Sequence, residues 1–470
     1  MWQQQQAAAY GASDERTLKG QGMKRDSIDP RLVAAGSGLI DRSIFADQEI
    51  FEQEMRDVYG KSWLFVGHTS QIPDKGDYFV SQAGRDAVVV TRDADDRINV
   101  LLNVCTHRGM PVCRYDKGNA KRFTCPYHGW TFANTGDLTG LPLSSEGYGG
   151  KLDRKQWGLI KARVAIFHGS IWATFSDEAP SFDDSLGDMA LMLREFMQGP
   201  DGEDDGLETI EGILKYEIHS NWKFGAENNA GDLYHDVSHN SVQRVGLALS
   251  GLRGRHVWDA DKQTFKILNV AYPAGGHAAR VSLYDKAGRD YQSQWAMLPE
   301  VDEYFRDAHY KRQERLGEQG RILNRGGIVF PNIAYNSAGR WQITMWVPRA
   351  PNRTEVWKWY FVPKSAPQAV KDALRHYLLR YGGPTGMVEQ DDIENWASAQ
   401  IGAESEAARR LPMNYTLHMG HAQWAWPEPW LGEGAYVDEG VSEHAQRVFY
   451  QRWAEMMGGV VHARELEASL

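Results

Sequence analysis

Cys105-Thr-His107 and, after a spacer of seventeen residues, Cys125-Pro-Tyr-His128 set out the pattern C-x-H followed by C-x-x-H. Two thiolates and two imidazoles on paired loops can hold a structural zinc, or a [2Fe–2S] cluster with both cysteines on one iron and both histidines on the other. Histidine fills 15 of 470 positions. Two cysteines each finding one at the required offset is then roughly a one-in-a-thousand coincidence. Buried cysteines beside satisfied histidines account for it poorly, and a zinc ribbon more often uses short C-x₂-C knuckles. Cys113 matches neither pair and reads as a core residue. Around the two pairs the periodicity is that of strands: Tyr78–Val80, Ala87–Thr91 and Ile98–Val104, with a hairpin turn over 92–97 between the last two. Further strands are expected near Phe123, Thr131–Ala133, Val164–Phe167 and Ile171–Phe175, which makes 61–178 an all-β unit.

The flanking residues narrow the choice. Cys105-Thr-His-Arg-Gly109 and Cys125-Pro-Tyr-His-Gly-Trp130 resemble the two cluster-binding loops of Rieske proteins. They are most similar to those of the Rieske non-haem iron ring-hydroxylating dioxygenases, the large (α) subunits of the naphthalene/biphenyl/phthalate group. The resemblance implies that Cys105 and Cys125 bind one iron of a [2Fe–2S] cluster and that His107 and His128 bind the other. Gly109 and Gly129 would let backbone amides approach the cluster sulfides. Neutral imidazoles in place of two thiolates raise the potential, which suits a centre fed by a ferredoxin or a flavin reductase.

A second group lies downstream. Asn221-Trp-Lys223 is followed by Glu227-Asn-Asn-Ala-Gly-Asp232-Leu-Tyr-His235-Asp-Val-Ser-His239. Four apart, His235 and His239 would share one face of an α-helix and could grip a single metal ion. The pair alone is a weak signal, because histidines reach that spacing by chance. Its context resembles the iron-binding segment of ring-hydroxylating dioxygenase large subunits, whose third ligand comes from a distant E-[QS]-D-D-x-[ED]-N segment. Glu389-Gln-Asp-Asp-Ile-Glu-Asn395 fits that form. The resemblance puts Asp392 in the ligand position and leaves Asp391 and Glu394 as solvated acids at a helix start.

His235, His239 and Asp392 would then form a 2-His-1-carboxylate triad for Fe(II), with coordination positions open to O₂. Many relatives place four residues between the histidines, whereas this chain has three. Asp232 corresponds to the family's bridging carboxylate, taking a hydrogen bond from His235 and another from His128 of a neighbouring subunit. That role implies a head-to-tail trimer, and the full-length pattern resembles large subunits that pair with a small β subunit as α₃β₃. By position Asn228, Asn229, Leu233, Asp236 and the Gly386-Met387-Val388 turn should approach the substrate.

Composition bounds the remainder. At 470 residues the chain exceeds one core and calls for at least two domains. A net charge of -10 gives no reason to expect nucleic acid. Three cysteines make no disulfide framework, which points to a reducing, cytoplasmic compartment. The N-terminus lacks a signal-peptide pattern, and no apolar run is long enough for a transmembrane helix. Residues 1–40 read as an arm, 41–60 as a helix belonging to the catalytic domain, and 179–470 as that domain. There a helix is expected at Met189–Met197, with strands at Leu214–Ile218, Thr264–Val270, Gly327–Phe330, Trp341–Val347 and Val356–Val362. Ser365-Ala-Pro-Gln368 predicts a capping box opening a helix, and a last helix runs near Glu443–Met457. The fold class is α+β: an all-β Rieske unit and an antiparallel sheet flanked by helices.

The expected reaction is addition of both atoms of O₂ to an aromatic substrate, giving a cis-dihydrodiol with electrons from NADH. The chain has no Gly-rich nucleotide fingerprint, so NADH and flavin would bind to partner proteins. The polar Asn229 and Asp236 suggest an aromatic carboxylate such as phthalate, with a polycyclic hydrocarbon as the alternative. A monooxygenase or demethylase of the same architecture, and an electron-carrier protein, are the competing functions.

Overall fold

Helix α1 (Gln48–Asp57) begins where Asp47 accepts the N–H groups of Glu49 and Ile50 at 2.8 and 3.0 Å, satisfying donors that the first turn leaves without partners. It buries Ile50, Phe51 and Met55. The computed structural model describes residues 33–34, 37–200, 202, 206–239, 265–293, 295–337, 341–424 and 429–458, the side chains at 34, 236, 424 and 429 excepted. Most of the arm expected over 1–40 thus lies outside the described residues. Its end pairs with the body of the molecule, as strand Leu39–Ile40 lies against Met413–Asn414.

The first unit consists of three small antiparallel sheets. Ile98–Leu102, Asp86–Arg92, Asp77–Ala83 and Lys117–Asn119 form one; Leu138–Gly140, Thr131–Ala133 and Arg122–Thr124 a second; Arg163–Phe167, Ser170–Thr174 and Leu64–His68 a third. The two Cys-His pairs sit in the turns that follow Ile98–Leu102 and Arg122–Thr124.

Beyond it, a ten-stranded antiparallel sheet is built, in chain order, from β1 (Leu207–Thr209), β2 (Leu214–Ile218), β3 (Phe265–Tyr272), β4 (His277–Tyr284) and β5 (Ile322–Val329). It continues with β6 (Ile333–Asn336), β7 (Trp341–Ala350), β8 (Arg353–Pro363), β9 (Gln423–Trp424) and β10 (Tyr436–Glu439). The spatial order is β1-β8-β7-β6-β5-β4-β3-β10-β9, with β2 also on β8. Alternation divides the sheet into two faces. Leu268, Val281, Leu283, Ile343 and Trp359 pack with α2 (Met189–Met197), α4 (Pro299–Leu316) and α5 (Gln368–Tyr381). Ala278, Ile328, Ala334 and Trp346 pack with α3 (Trp222–Asn229), α6 (Glu389–Glu404) and α7 (His444–Met456). That second core also takes in α1 and Val66, Val88 and Ile171 of the first unit, so the two units share apolar packing. Among the described residues no helix is long and apolar enough to cross a membrane.

Two local expectations are corrected. The helix α5 has Pro367 at its N-cap without a side-chain cap, because the Gln368 amide donates forward to Asp372 at 2.9 Å instead of back toward Ser365. Strand β5 starts at Ile322, five residues before the expected Gly327, since Asn324, Arg325 and Gly326 hide its alternation. The Met189–Met197 helix stands as expected, whereas α4 has no counterpart in the sequence reading.

His277 shows how burial of a polar group ties stability to pH. Its Nδ1 accepts the Phe330 N–H at 2.9 Å, so its Nε2–H donates to the Ser185 carbonyl at 2.8 Å, and the neutral ring is fully used. Burial pushes its pKa down to about 4. The unfolded chain therefore takes up a proton near 6.5 that the folded chain refuses until about 4. The stabilisation is complete above pH 6.5 and is lost as pH falls through that window, by at most about 1.4 kcal/mol per pH unit. Urea unfolding at pH 6.5 and 5 should show a steeper decline for the natural chain than for His277→Gln; equal slopes would reject the assignment.

Candidate metal centres

The two Cys-His turns are near copies of each other. Cys105 N–H bonds the Met110 carbonyl at 2.8 Å and Cys125 N–H the Trp130 carbonyl at 2.7 Å. Gly109 and Gly129 close back on Cys105 and Cys125 at 2.8 and 3.0 Å, with φ of 77° and 76°. Such positive φ values cost a side chain strain that glycine avoids, which explains the residue type at both places. The thiols of Cys105 and Cys125 are unpaired and buried, and the imidazoles of His107 and His128 are half-buried with ring centres 4.5 Å apart. Trp130 stacks on His107 at 4.9 Å and 4° and fixes that ring.

Burial raises the Cys105 thiol above its usual range, while the His107 and Arg108 amides donate to its sulfur and favour the thiolate. His107 Nδ1 is buried with no hydrogen-bond partner. Two buried thiols, that of Cys105 with amide donors, beside two half-buried imidazoles, one with an orphaned nitrogen, fit a cluster with sulfur ligands on one iron and nitrogen ligands on the other. Cys113 is buried in the same core, its thiol directed at the Tyr115 carbonyl at 3.5 Å.

The second centre forms where α3 ends. His235 and His239 lie in a 3₁₀ turn, Tyr234–His239, rather than on the expected α-helix. Their rings nevertheless converge, at 85° to each other, with Nε2 atoms 3.2 Å apart. Asp392 reaches them from the first turn of α6: its Oδ1 stands 3.5 Å from His235 Nε2 and 3.3 Å from His239 Nε2. Donor atoms of these three residues all lie within 4.8 Å of one another, and Asp392 Oδ1 and His235 Nδ1 are buried without hydrogen-bond partners. This donor set and its unsatisfied atoms fit a single divalent iron. Burial opposes charge on both imidazoles, yet Asp232 and Asp392 beside His235, and Asp392 and Asp391 beside His239, outweigh it and raise both pKa values. The site is therefore built for a cation.

The position of Asp392 is set one turn earlier. Glu389, at the start of α6, accepts the Tyr216 hydroxyl at 2.6 Å and pairs with the buried Lys358 ammonium, which pins α6 to β2 and β8. Asn395 adds a bond to Ser238 at 2.9 Å, joining α6 to the histidine turn. Asp391, read as a solvated acid, instead has Oδ2 3.3 Å from His239 Nδ1, because adjacent residues on a helix point about 100° apart and this turn faces the histidines. Asp232 accepts the His235 backbone N–H at 3.2 Å, while its other oxygen lies 3.7 Å from His235 Nδ1, longer than a hydrogen bond.

The triad lies in the wall of a cavity of about 340 Å³. Asn228, Asn229, Leu233 and Val388 line it. Met387 does not, as its N–H ties the turn back to the Arg380 carbonyl at 3.0 Å and Val388 takes the place at the wall. The side chain of Asp236 is outside the described residues. Arg280, Arg325, Tyr335 and Asn336 also line the cavity and were not anticipated; an arginine inside each of two mostly buried strands was the available signal.

Comparison with known proteins covers both units. Residues 62–161 match the Rieske [2Fe-2S] domain and residues 208–459 the ring hydroxylating alpha subunit (catalytic domain). The chain is 35% identical over 441 residues to the biphenyl 2,3-dioxygenase subunit alpha of Rhodococcus jostii (strain RHA1), covering 92% of each. It is 32% identical over 442 residues to the N,N-dimethyl phenylurea N-demethylase subunit alpha of Sphingobium sp. (strain YBL2), covering 89% of this chain and 92% of that one. A structure of naphthalene 1,2-dioxygenase with indole bound in the active site superposes with a TM-score of 0.79 at 30% identity, over 94% of this chain and 97% of the other. The family's chemistry uses a Rieske cluster, a mononuclear iron and O₂, and both sets of donors it needs are present. The chain thus belongs to the ring-hydroxylating α subunits of the Rieske dioxygenases.

Proposed function

We propose that this chain is the oxygen-activating large subunit of a multi-component dioxygenase, adding both atoms of O₂ across an aromatic double bond to give a cis-dihydrodiol. The observation that carries the reading is the convergence of His235, His239 and Asp392 at the wall of a cavity, in a chain that also presents Cys105, His107, Cys125 and His128 as a second ligand set. When bound, the cluster supplies electrons and the mononuclear iron activates O₂. The chain's own residues do the rest. Asp391 orients the His239 ring and Asp232 anchors the backbone that carries His235. Leu233, Phe265, Ile267 and Val388 give the aromatic ring an apolar bed and keep water from it. At about 340 Å³ the cavity exceeds the roughly 150 Å³ that holds a benzene, leaving room for two fused rings.

Asp232 is partly exposed, with 29% of its side-chain surface open, as suits a carboxylate that meets His128 of a neighbouring subunit in a trimer. A small β subunit, a ferredoxin and a reductase that takes electrons from NADH complete the proposed system. The demethylase relative supports a second reading, insertion of a single oxygen atom. Reconstitution with a ferredoxin and reductase, naphthalene and ¹⁸O₂ distinguishes them. A cis-diol carrying two labelled atoms is expected; product with one labelled atom would establish the monooxygenase.

A further inference from the structure

The cavity wall carries two arginines, Arg280 on β4 and Arg325 on β5. Regular antiparallel pairing would set Arg325 opposite Val281. Instead the register passes from Arg280–Gly326 directly to Val281–Asn324, so Arg325 is the extra residue of a β-bulge. A bulge re-aims a side chain that strict alternation would send elsewhere. Arg325 comes to the side of Arg280 and Ser282, where its Nε donates to Ser282 Oγ at 2.9 Å. Its guanidinium lies over Phe265, 5.3 Å from the ring centre, and Phe265 also lines the cavity.

Of the described lining residues Asp392 alone is acidic, and it belongs to the triad; two are arginines and three are asparagines. A hydrocarbon entering this space takes water from the Arg325 guanidinium and returns nothing. A carboxylate or sulfonate returns charge-assisted hydrogen bonds, in the two-pronged geometry that arginine favours. We infer that Arg280 and Arg325 determine specificity by binding an anionic substituent, carboxylate or sulfonate, on the aromatic substrate, and so fix which edge of the ring faces His235, His239 and Asp392. The inference rests on the oxygenase reading of that triad.

The test is equilibrium binding of naphthalene-2-carboxylate, naphthalene-2-sulfonate and the neutral naphthalene-2-carboxamide to the holoenzyme by calorimetry. Both acids should bind at least about 30-fold more tightly than the amide, the ratio expected when a desolvated charge pair is lost. Arg325→Met and Arg280→Met should each weaken binding of the acids more than of the amide and so reduce that preference, with the cluster's visible spectrum unchanged. Arg325→Lys should keep part of it. Equal affinity for acid and amide, or a preference that survives both methionine variants, overturns the inference. NADH- and O₂-coupled turnover separates this failure from that of the underlying reading. Cis-diol from naphthalene without acid preference removes the anion subsite and keeps the oxygenase. Selective acid binding with no oxygenated product from either compound does the reverse.

Discussion

Asp392→Ala is expected to purify as a folded, coloured protein with about two irons per chain in place of about three, and to form no oxygenated product. The expectation follows from what Asp392 does and from what cannot replace it. Its Oδ1 faces both histidine Nε2 atoms at 3.3–3.5 Å and has no hydrogen-bond partner, so its removal leaves two imidazoles and no hard anionic donor. Asp391 is next in sequence but approaches His239 from Nδ1, the opposite nitrogen, and cannot reach the same point. The Cys105, His107, Cys125 and His128 loops belong to a different sheet system, so the cluster's absorption should persist. Asp391→Asn provides the graded companion. It keeps all three donors but weakens the acceptor that orients His239, which should lower iron affinity by about 10- to 100-fold. Iron analysis and visible spectra after anaerobic loading check both. Three irons in Asp392→Ala would remove this carboxylate from the metal centre.

What could be read without coordinates followed from how local each feature is. Both Cys-His loops were legible because ligand spacing and turn glycines sit within six residues of each other, and the structure returns the same positive φ at Gly109 and Gly129. The histidine pair was legible as chemistry but not as conformation, since the spacing suits an α-helix and the backbone adopts a 3₁₀ turn. The choice between Asp391 and Asp392 came from resemblance alone; helix phase gives both a histidine contact, on different nitrogens. Helix α4 escaped because its buried face includes Asp302, Arg312 and Gln313, so no apolar period marks it. Arg325 escaped for a different reason: a bulge is a property of two strands together, and neither strand shows it singly.

Asn221-Trp-Lys223 illustrates the same limit and leads to the largest expected loss of stability. Read as part of an iron-binding segment, it proves to be an anchor. Asn221 caps α3 through the Lys223 N–H at 3.1 Å and donates to the Phe45 and Pro351 carbonyls at 3.2 and 2.7 Å. Lys223 and Glu54 of α1 form an ion pair with both side chains fully buried. Glu54 also accepts the indole N–H groups of Trp222 and Trp453, each at 2.9 Å, so one carboxylate joins α1, α3 and α7. Burial pulls the Lys223 ammonium toward deprotonation, and the Glu54 charge opposes it. Glu54→Ala should therefore cost about 3–5 kcal/mol, because it strands a buried cation and two indole donors. Lys223→Met added to Glu54→Leu removes the stranded charge and should recover much of that loss, although the indoles stay without acceptors. Urea unfolding of Glu54→Leu, Lys223→Met and the double checks the cycle; additive losses would show that the ion pair contributes no coupling. Since α3 runs from Trp222 to Asn229 and delivers the chain to Asp232 and His235, Glu54→Ala should also lower iron occupancy, while the paired apolar replacement restores it.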